Sequence, residues 1–326
     1  MLKVSVIVPV FNSEKYIGEC LDSLVNQTLK DIEIIIIDDA SIDNSLKIIK
    51  EYAKKYSNIK VYQNDQNRGQ GFTRNVGLSL AKGEYIGFVD DDDYIDFTMY
   101  ETMYNGAKEN NNPDIVSCGI KFVHINDKFQ MNSDLNSSAK GYIYHTSKHP
   151  EKIFWESPSC CNKIFKKDLI DKYRFLELRI WEDIAFTYSM LIKANIVLNF
   201  HDNFYNYRRD VTKGVSSRSY HSNAPLEDIF TISDEISMQA KRYHKERIFK
   251  KVILLLQLSV CLERLSEIKE WNINEEDKNK IMIHFYQKVI EKYGDIKQVD
   301  NALLSSKVDL FLLDRIEEMI NKRVVK

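Results

Sequence analysis

Four consecutive carboxylates, Asp90 to Asp93, follow directly on Tyr85, Ile86, Phe88 and Val89, an aromatic and β-branched run suited to a buried strand. Carboxylates packed together repel, and each raises its neighbour's pKa. A core strand ending on four of them needs a counter-charge, and oxygen-only ligation suits Mg²⁺ or Mn²⁺. A metal held by one or two carboxylates completes its shell with substrate phosphates, which implies a phosphorylated small molecule such as a nucleotide derivative. Two upstream strand-like runs also end on polar or aromatic groups, one in Pro9-Val10-Phe11-Asn12 and one in Asp38-Asp39. In an open α/β sheet, ligands bind beyond the carboxyl ends of the strands, so parallel strands bring all three groups to one edge.

Two other uses of the acids fit the run less well. A solvated turn capping the next helix accounts for one or two aspartates but poorly for four. A calcium loop matches at Asp90, Asp92, Asp96 and Glu101, but Ile95 stands where that loop needs glycine and a strand precedes it. "NRGQGFTRN" (67–75) is a weak match to a dinucleotide loop, because Arg74 occupies the third glycine position and the third strand precedes it. It reads better as a glycine-rich helix entry, with Arg74 open to a phosphate contact or to a structural ion pair.

The elements that position these residues alternate between strand and helix. Val4 to Val10 reads as a buried strand, and 14–28 as a helix with Ile17, Leu21, Leu24 and Val25 on one face. "IEIIIIDD" (32–39) is apolar on both faces, as in the middle of a parallel sheet. A helix through Leu46, Ile49 and Ala53 follows, then a strand at Ile59 to Tyr62, a helix over 72–82 closed by Gly83, and a strand over 84–89. The pattern predicts a Rossmann-like α/β layer with a mostly parallel sheet. One further strand is expected at Ile115 to Cys118, and the chain reads as all-helical from Pro225.

Bulk composition narrows the class. The 326 residues are 44% hydrophobic and 29% charged, and 46 Lys and Arg nearly balance 48 Asp and Glu, so a net charge of -2 gives no case for nucleic acid. Five cysteines (Cys20, Cys118, Cys160, Cys161, Cys261) lack paired zinc or redox spacing and fit reduced thiols in a cytoplasmic protein. The apolar start of the chain stops at Asn12 without a cleavage site, and no run reaches membrane-spanning length. The protein is expected to be soluble, or at most peripheral at the inner face of the cell membrane.

"VSVIVPVFNSEKYIGECLDSLVNQT", "IEIIIIDDASIDNS", "NRGQGFTRNVGLSLAKGEYIGFVDDDD" and "WEDIAFTYSMLIKA" together resemble family 2 of the inverting, nucleotide-sugar-dependent glycosyltransferases with the GT-A fold. The resemblance covers residues 3–220. It implies that Pro9, Val10 and Phe11 line the base pocket, that Asp39 accepts a hydrogen bond from the base with Asp38 in support, and that Arg74 lies at the diphosphate. The family's DxD element falls on Asp90-Asp91-Asp92, with Asp92 on a divalent metal, Mn²⁺ or Mg²⁺, and Asp90 on the ribose or sugar. Inverting transfer needs a base for the attacking hydroxyl. Glu182-Asp183 matches the family's acidic pair, Asp183 as base and Glu182 orienting it. Arg208 and Lys213 are candidates for a basic segment over the diphosphate, although Gly214-Val215 stands where relatives carry Gly-Ser. His201 is a candidate metal ligand, and Asn162-Lys163 a lining of the acceptor side.

The implied enzyme moves a hexose from a nucleotide-sugar donor, UDP favoured, to a glycan or lipid-linked acceptor for a cell-surface polysaccharide. A sugar-phosphate nucleotidyltransferase is a rival, but "FNSEKYI" stands where it would carry a glycine- and arginine-rich loop. A non-catalytic binding module on the same fold is the other; the intact Asp92 and Asp183 speak against it. Residues 1–220 are assigned to the GT-A domain and 221–326 to a C-terminal helical region. "KRYHKERIFKKVILLLQLSVCLERL" (241–265) could pack on the catalytic domain, form a homo-oligomer face or rest on an anionic membrane.

Overall fold

The computed structural model describes residues 2–124, 130–133, 142–178, 181–209, 226–269, 271 and 273–294. Two compact units divide the chain, Met1–Thr212 and Lys213–Lys326.

In the first unit, strands and helices alternate as the hydrophobic pattern requires: β1 (Val4–Val10), α1 (Ile17–Val25), β2 (Ile32–Asp38), α2 (Ser45–Lys55), β3 (Ile59–Gln63), α3 (Gln70–Leu80) and β4 (Tyr85–Phe88). Short elements follow: β5 (Tyr94–Ile95), α4 (Met99–Glu109), β6 (Ile115–Ser117), β7 (Ile120–His124), β8 (Gln130–Ser133), β9 (Tyr142–His145), α5 (Glu151–Trp155), β10 (Lys163–Lys166), α6 (Lys167–Ile170), α7 (Glu182–Lys193), β11 (Ile196–Asn199) and β12 (Tyr205–Arg209). The main sheet has the order β3-β2-β1-β4-β10-β6-β11-β9, and a smaller sheet the order β5-β12-β7-β8.

β2 pairs in parallel with β1 and β3, and β1 pairs in parallel with β4. Ile34 to Ile37 are fully buried. Each such side chain contributes about 1.5–3 kcal/mol of transfer free energy, which makes β2 a secure centre for the sheet. β10 was not read from the sequence. It lies antiparallel between β4 and β6, so the sheet is mostly, not wholly, parallel. β6 and β11 again run parallel to each other.

One expected helix shifts. α3 begins at Gln70 because Gly69, at φ 85, makes the left-handed entry that only glycine adopts freely. It ends before Ala81. Gly83 is no helix cap. A Cβ there would lie 2.4 Å from the Ser5 backbone nitrogen, so glycine lets the chain pass close beside β1.

The second unit contains α8 (Glu227–Arg242), α9 (Glu246–Lys269) and α10 (Glu275–Tyr293). α9 packs against both neighbours, and Phe249, Val252, Leu256, Leu258, Cys261 and Leu265 are buried around it. Burial on so many sides makes α9 the core of this unit. The expected last helix through Leu310 to Ile320 lies outside the described residues. Among the described residues, no helix is long and apolar enough to cross a membrane. The five cysteines are free and buried.

Candidate active site

β1, β2 and β4 run parallel, so Phe11, Asp38-Asp39 and Asp90–Asp93 follow their carboxyl ends along one edge of the sheet. Three non-glycine residues in left-handed backbone border this edge: Asn12 (φ 54), Ala40 (φ 60) and Trp181 (φ 57). Such conformations cost of order 1–3 kcal/mol and cluster at functional sites. They set the exits of β1 and β2 and the entry to α7.

The four aspartates form a turn, not a strand end. The Asp93 N–H donates to the Asp90 carbonyl at 3.2 Å, and each side chain meets different partners. Asp91 is buried, accepting from the Phe11 N–H at 2.9 Å and from the Ser13 hydroxyl. Asp93 is also buried, accepting from the Tyr205 hydroxyl at 2.6 Å and the Arg208 N–H at 2.7 Å. One Asp90 oxygen accepts from Arg74 at 2.8 Å. Asp92 alone is exposed and takes no hydrogen bond from another described residue.

The electrostatics agree with this division. Burial and the Asp92 charge push Asp91 up to about 7, against its two hydrogen bonds. Confinement in the crevice and the Asp90 charge raise Asp92 to about 6, although part of its surface meets solvent. Burial and the same two neighbours raise Asp93 well above the carboxylate range. The turn therefore concentrates negative potential at Asp92 and the open side of Asp90.

Asp183 stands in the first turn of α7, half-buried. Burial and the adjacent Glu182 charge push it up to about 7, against the pull of Arg74. A carboxylate poised there suits a general base near neutral pH. Arg74 is 2% exposed and ion-pairs with both Glu182 and Asp90, so it ties the acidic turn to the start of α7.

Several sequence expectations change here. Arg74 was open to a phosphate contact or an ion pair, and the structure has the ion pair. Glu182 spends its carboxylate on Arg74 and so fixes Asp183 through the helix, not by touching it. Asp91, inside the DxD element, braces the loop after β1 by accepting from the Phe11 N–H. Pro9 and Val10 are buried in β1, which leaves the 43%-exposed Phe11 ring as the accessible part of that trio. Asn162 and Lys163 are buried too. The Lys163 ammonium donates to the carbonyls of Ser157 (2.8 Å) and Ser159 (3.0 Å) and to Asn162 Oδ1 (2.8 Å). These bonds let Lys163 staple the loop that precedes β10.

Asp38 is fully buried, with one oxygen on the Ser41 N–H. Asp39 accepts from the Arg68 and Gly69 N–H groups and from Asn64, holding the turn that starts α3. The Arg208 guanidinium lies over the rings of Tyr16 (4.9 Å) and Tyr94 (5.3 Å) and bonds Glu19 at 2.7 Å. The His201 ring neighbours Tyr142, 6.5 Å between centroids, at the β9 end of the sheet. Lys213 lies outside the described residues. Ser13 and Tyr205 went unnoticed in the sequence, because nothing in their local spacing marks them as partners of the acidic turn.

The donor set fits a divalent cation of the Mg²⁺ or Mn²⁺ kind. Among the described residues, no three His, Cys, Asp or Glu side chains form a complete ligand set. One or two open carboxylates, here Asp92 with Asp90, match a metal that draws its other oxygens from substrate and water.

The model of the family described as "Glycosyl transferase family 2" matches residues 5–174. The chain belongs to glycosyl transferase family 2. The chain is 38% identical over 217 residues to the poly(ribitol-phosphate) beta-glucosyltransferase of Bacillus spizizenii, covering 64% of the chain but 33% of that relative. It is 31% identical to the cholesterol galactosyltransferase of Borreliella burgdorferi, covering 90% of the chain and 83% of the relative. Among solved structures, S. aureus TarS 1–349 in complex with UDP-GlcNAc superposes with a TM-score of 0.58 at 27% identity, over 89% of this chain and 73% of that one. The likeness shows the GT-A fold for this chain, a mostly parallel sheet with flanking helices followed by a helical region.

Proposed function

We propose that the protein is a divalent-metal-dependent, inverting hexosyltransferase that uses a nucleoside-diphosphate sugar, UDP-sugar above all. The acceptor is a hydroxyl of a glycan or lipid-linked acceptor in cell-surface polysaccharide synthesis, on the cytoplasmic side of the membrane. One observation carries the reading: the acidic turn leaves Asp92 open on the same sheet edge as Phe11, while Arg74 links Asp90 to the helix that bears Asp183. The names of relatives that act on poly(ribitol-phosphate), and the neighbour bound to UDP-GlcNAc, support the polymer and donor class.

In this reading the exposed Phe11 ring packs on the base, and Asp39 accepts from its N3–H. Arg208 leaves Glu19 to meet the diphosphate. Asp92 and Asp90 hold the cation, which when bound supplies Lewis-acid stabilisation of the leaving diphosphate. The acceptor oxygen attacks the anomeric carbon as the bond to the diphosphate breaks on the opposite face, and Asp183 takes the hydroxyl proton. Glu182 stays with Arg74 and keeps α7 in register. The second unit contributes acceptor or membrane contacts, for which the exposed end of α9 around Ile248 and Lys250 is the candidate surface.

The test is release of UDP from UDP-GlcNAc, UDP-glucose and UDP-galactose, with and without a poly(ribitol-phosphate) acceptor. Mn²⁺-dependent turnover of at least one donor, abolished by EDTA and restored by Mn²⁺, is expected. Turnover that EDTA leaves unchanged would remove the metal from the proposal, and no turnover with UDP-, GDP- or dTDP-sugars would remove the enzyme.

A further inference from the structure

The partners of the acidic turn include a buried tyrosine from far along the chain. Tyr205 lies in β12, opposite Ile95 of β5, so its strand pairs with the segment that leaves the turn. Its ring is 1% exposed. A phenol has one proton to give and lone pairs to receive, and both capacities are used on the turn. The hydroxyl donates to Asp93 Oδ2 at 2.6 Å and accepts from the Asp90 N–H at 3.3 Å. The other Asp93 oxygen accepts the Arg208 N–H at 2.7 Å. A tyrosine more than a hundred residues downstream thus closes the turn across its first and last residues.

The arrangement has a directional consequence. Asp93 and the Asp90 amide are drawn inward to Tyr205, while Asp91 is drawn to the loop after β1. With those residues anchored, the third residue of the turn, Asp92, has only the outward direction left, and the Asp90 carboxylate stands beside it. We propose that Tyr205 is a positioning residue for the divalent-cation site, holding the acidic turn so that Asp92 and Asp90 converge on one ion. The inference rests on the metal-dependent reading above. Groups that orient metal ligands typically change affinity 10–100-fold when removed.

The test uses the full-length protein, UDP and Mn²⁺, with free Mn²⁺ followed by electron paramagnetic resonance. Tyr205→Phe keeps the ring and deletes the oxygen. It is expected to weaken Mn²⁺ binding in the presence of UDP about tenfold, while UDP binding in EDTA stays at the wild-type level. Tyr100→Phe is the control, since that buried hydroxyl has no partner among the described residues and its loss should leave Mn²⁺ affinity unchanged. Wild-type protein that takes up no Mn²⁺ with UDP would sink the metal-dependent reading itself. Wild-type uptake matched by Tyr205→Phe, or lost equally in Tyr100→Phe, would overturn this inference and leave that reading standing. Should Tyr205→Phe fail to fold by circular dichroism, Asp93→Asn decides instead: weakened Mn²⁺ binding supports the positioning role, and unchanged binding refutes it.

Discussion

Replacing Asp183 by asparagine is expected to lower kcat by about 10²–10⁴-fold, the range that a positioned general base supplies. UDP affinity should not change, because Asp183 sits at the start of α7 and the groups proposed to meet the nucleotide follow β1, β2 and β4. The substitution should not unfold the protein either. At pH 8 it removes a negative charge that faces Glu182 and Asp90 and is only partly offset by Arg74, so stability is expected to hold or rise. The pH dependence gives an independent check. Burial and Glu182 raise the wild-type carboxyl to about 7, and only its ionised form can accept the proton. kcat/KM should therefore fall about tenfold per pH unit below that value and level off above it. The residual activity of Asp183→Asn should lack this limb. A variant with near-wild-type kcat would show that another group takes the proton.

Arg74→Met is expected to destabilise the fold by about 3–5 kcal/mol, the usual cost of leaving buried charge unpaired. Arg74 is 2% exposed, and its partner Glu182 is 6% exposed at the side chain, so little water can replace the lost guanidinium. Typical domains hold about 5–15 kcal/mol in total, so the loss should be plain in urea denaturation. Replacing both members tests the cause. Arg74→Met with Glu182→Leu should recover much of the loss, since an apolar pair of similar volume is often as stable as a buried ion pair. The Asp90 partner is 23% exposed and can be rehydrated. A single-variant loss below about 1 kcal/mol, the range of exposed ion pairs, would mean that Arg74 does not brace the site.

Much of the fold was legible because the strands announce themselves. Ile34 to Ile37 cannot be anything but interior, and the polar groups after Val10, Ile37 and Val89 mark the carboxyl edge of a parallel sheet. β10 was not legible. "NKIFKK" carries no signal for an antiparallel strand between β4 and β6, and that placement follows from pairing, not from local pattern. The burial of Asn162 and Lys163 was hidden for a related reason. An asparagine and a lysine read as surface groups until the Ser157 and Ser159 carbonyls close around the ammonium.

The acidic run shows the limit most clearly. Four identical letters carry no direction of their own: the family resemblance puts the cation on Asp92, but nothing in the run itself says why that carboxylate would be the open one. Direction comes from Ser13, Arg74, Tyr205 and Arg208, all distant in the chain. The left-handed backbone at Asn12, Ala40 and Trp181 was equally hidden, because alanine and tryptophan give no hint of positive φ. The joining of the turn to Asp183 through Arg74 and Glu182 was absent from any motif, since each half of that link had been read for a separate purpose.

We propose that the turn divides its acids, with Asp92 for the cation and Asp91 for the scaffold. Calorimetric titration of UDP with and without Mn²⁺, on the wild type, Asp92→Asn and Asp91→Asn, tests it most directly. Mn²⁺ is expected to tighten UDP binding to the wild type; Asp92→Asn should lose this enhancement and Asp91→Asn should keep it. An enhancement retained by Asp92→Asn and lost by Asp91→Asn would contradict the division of the turn described above.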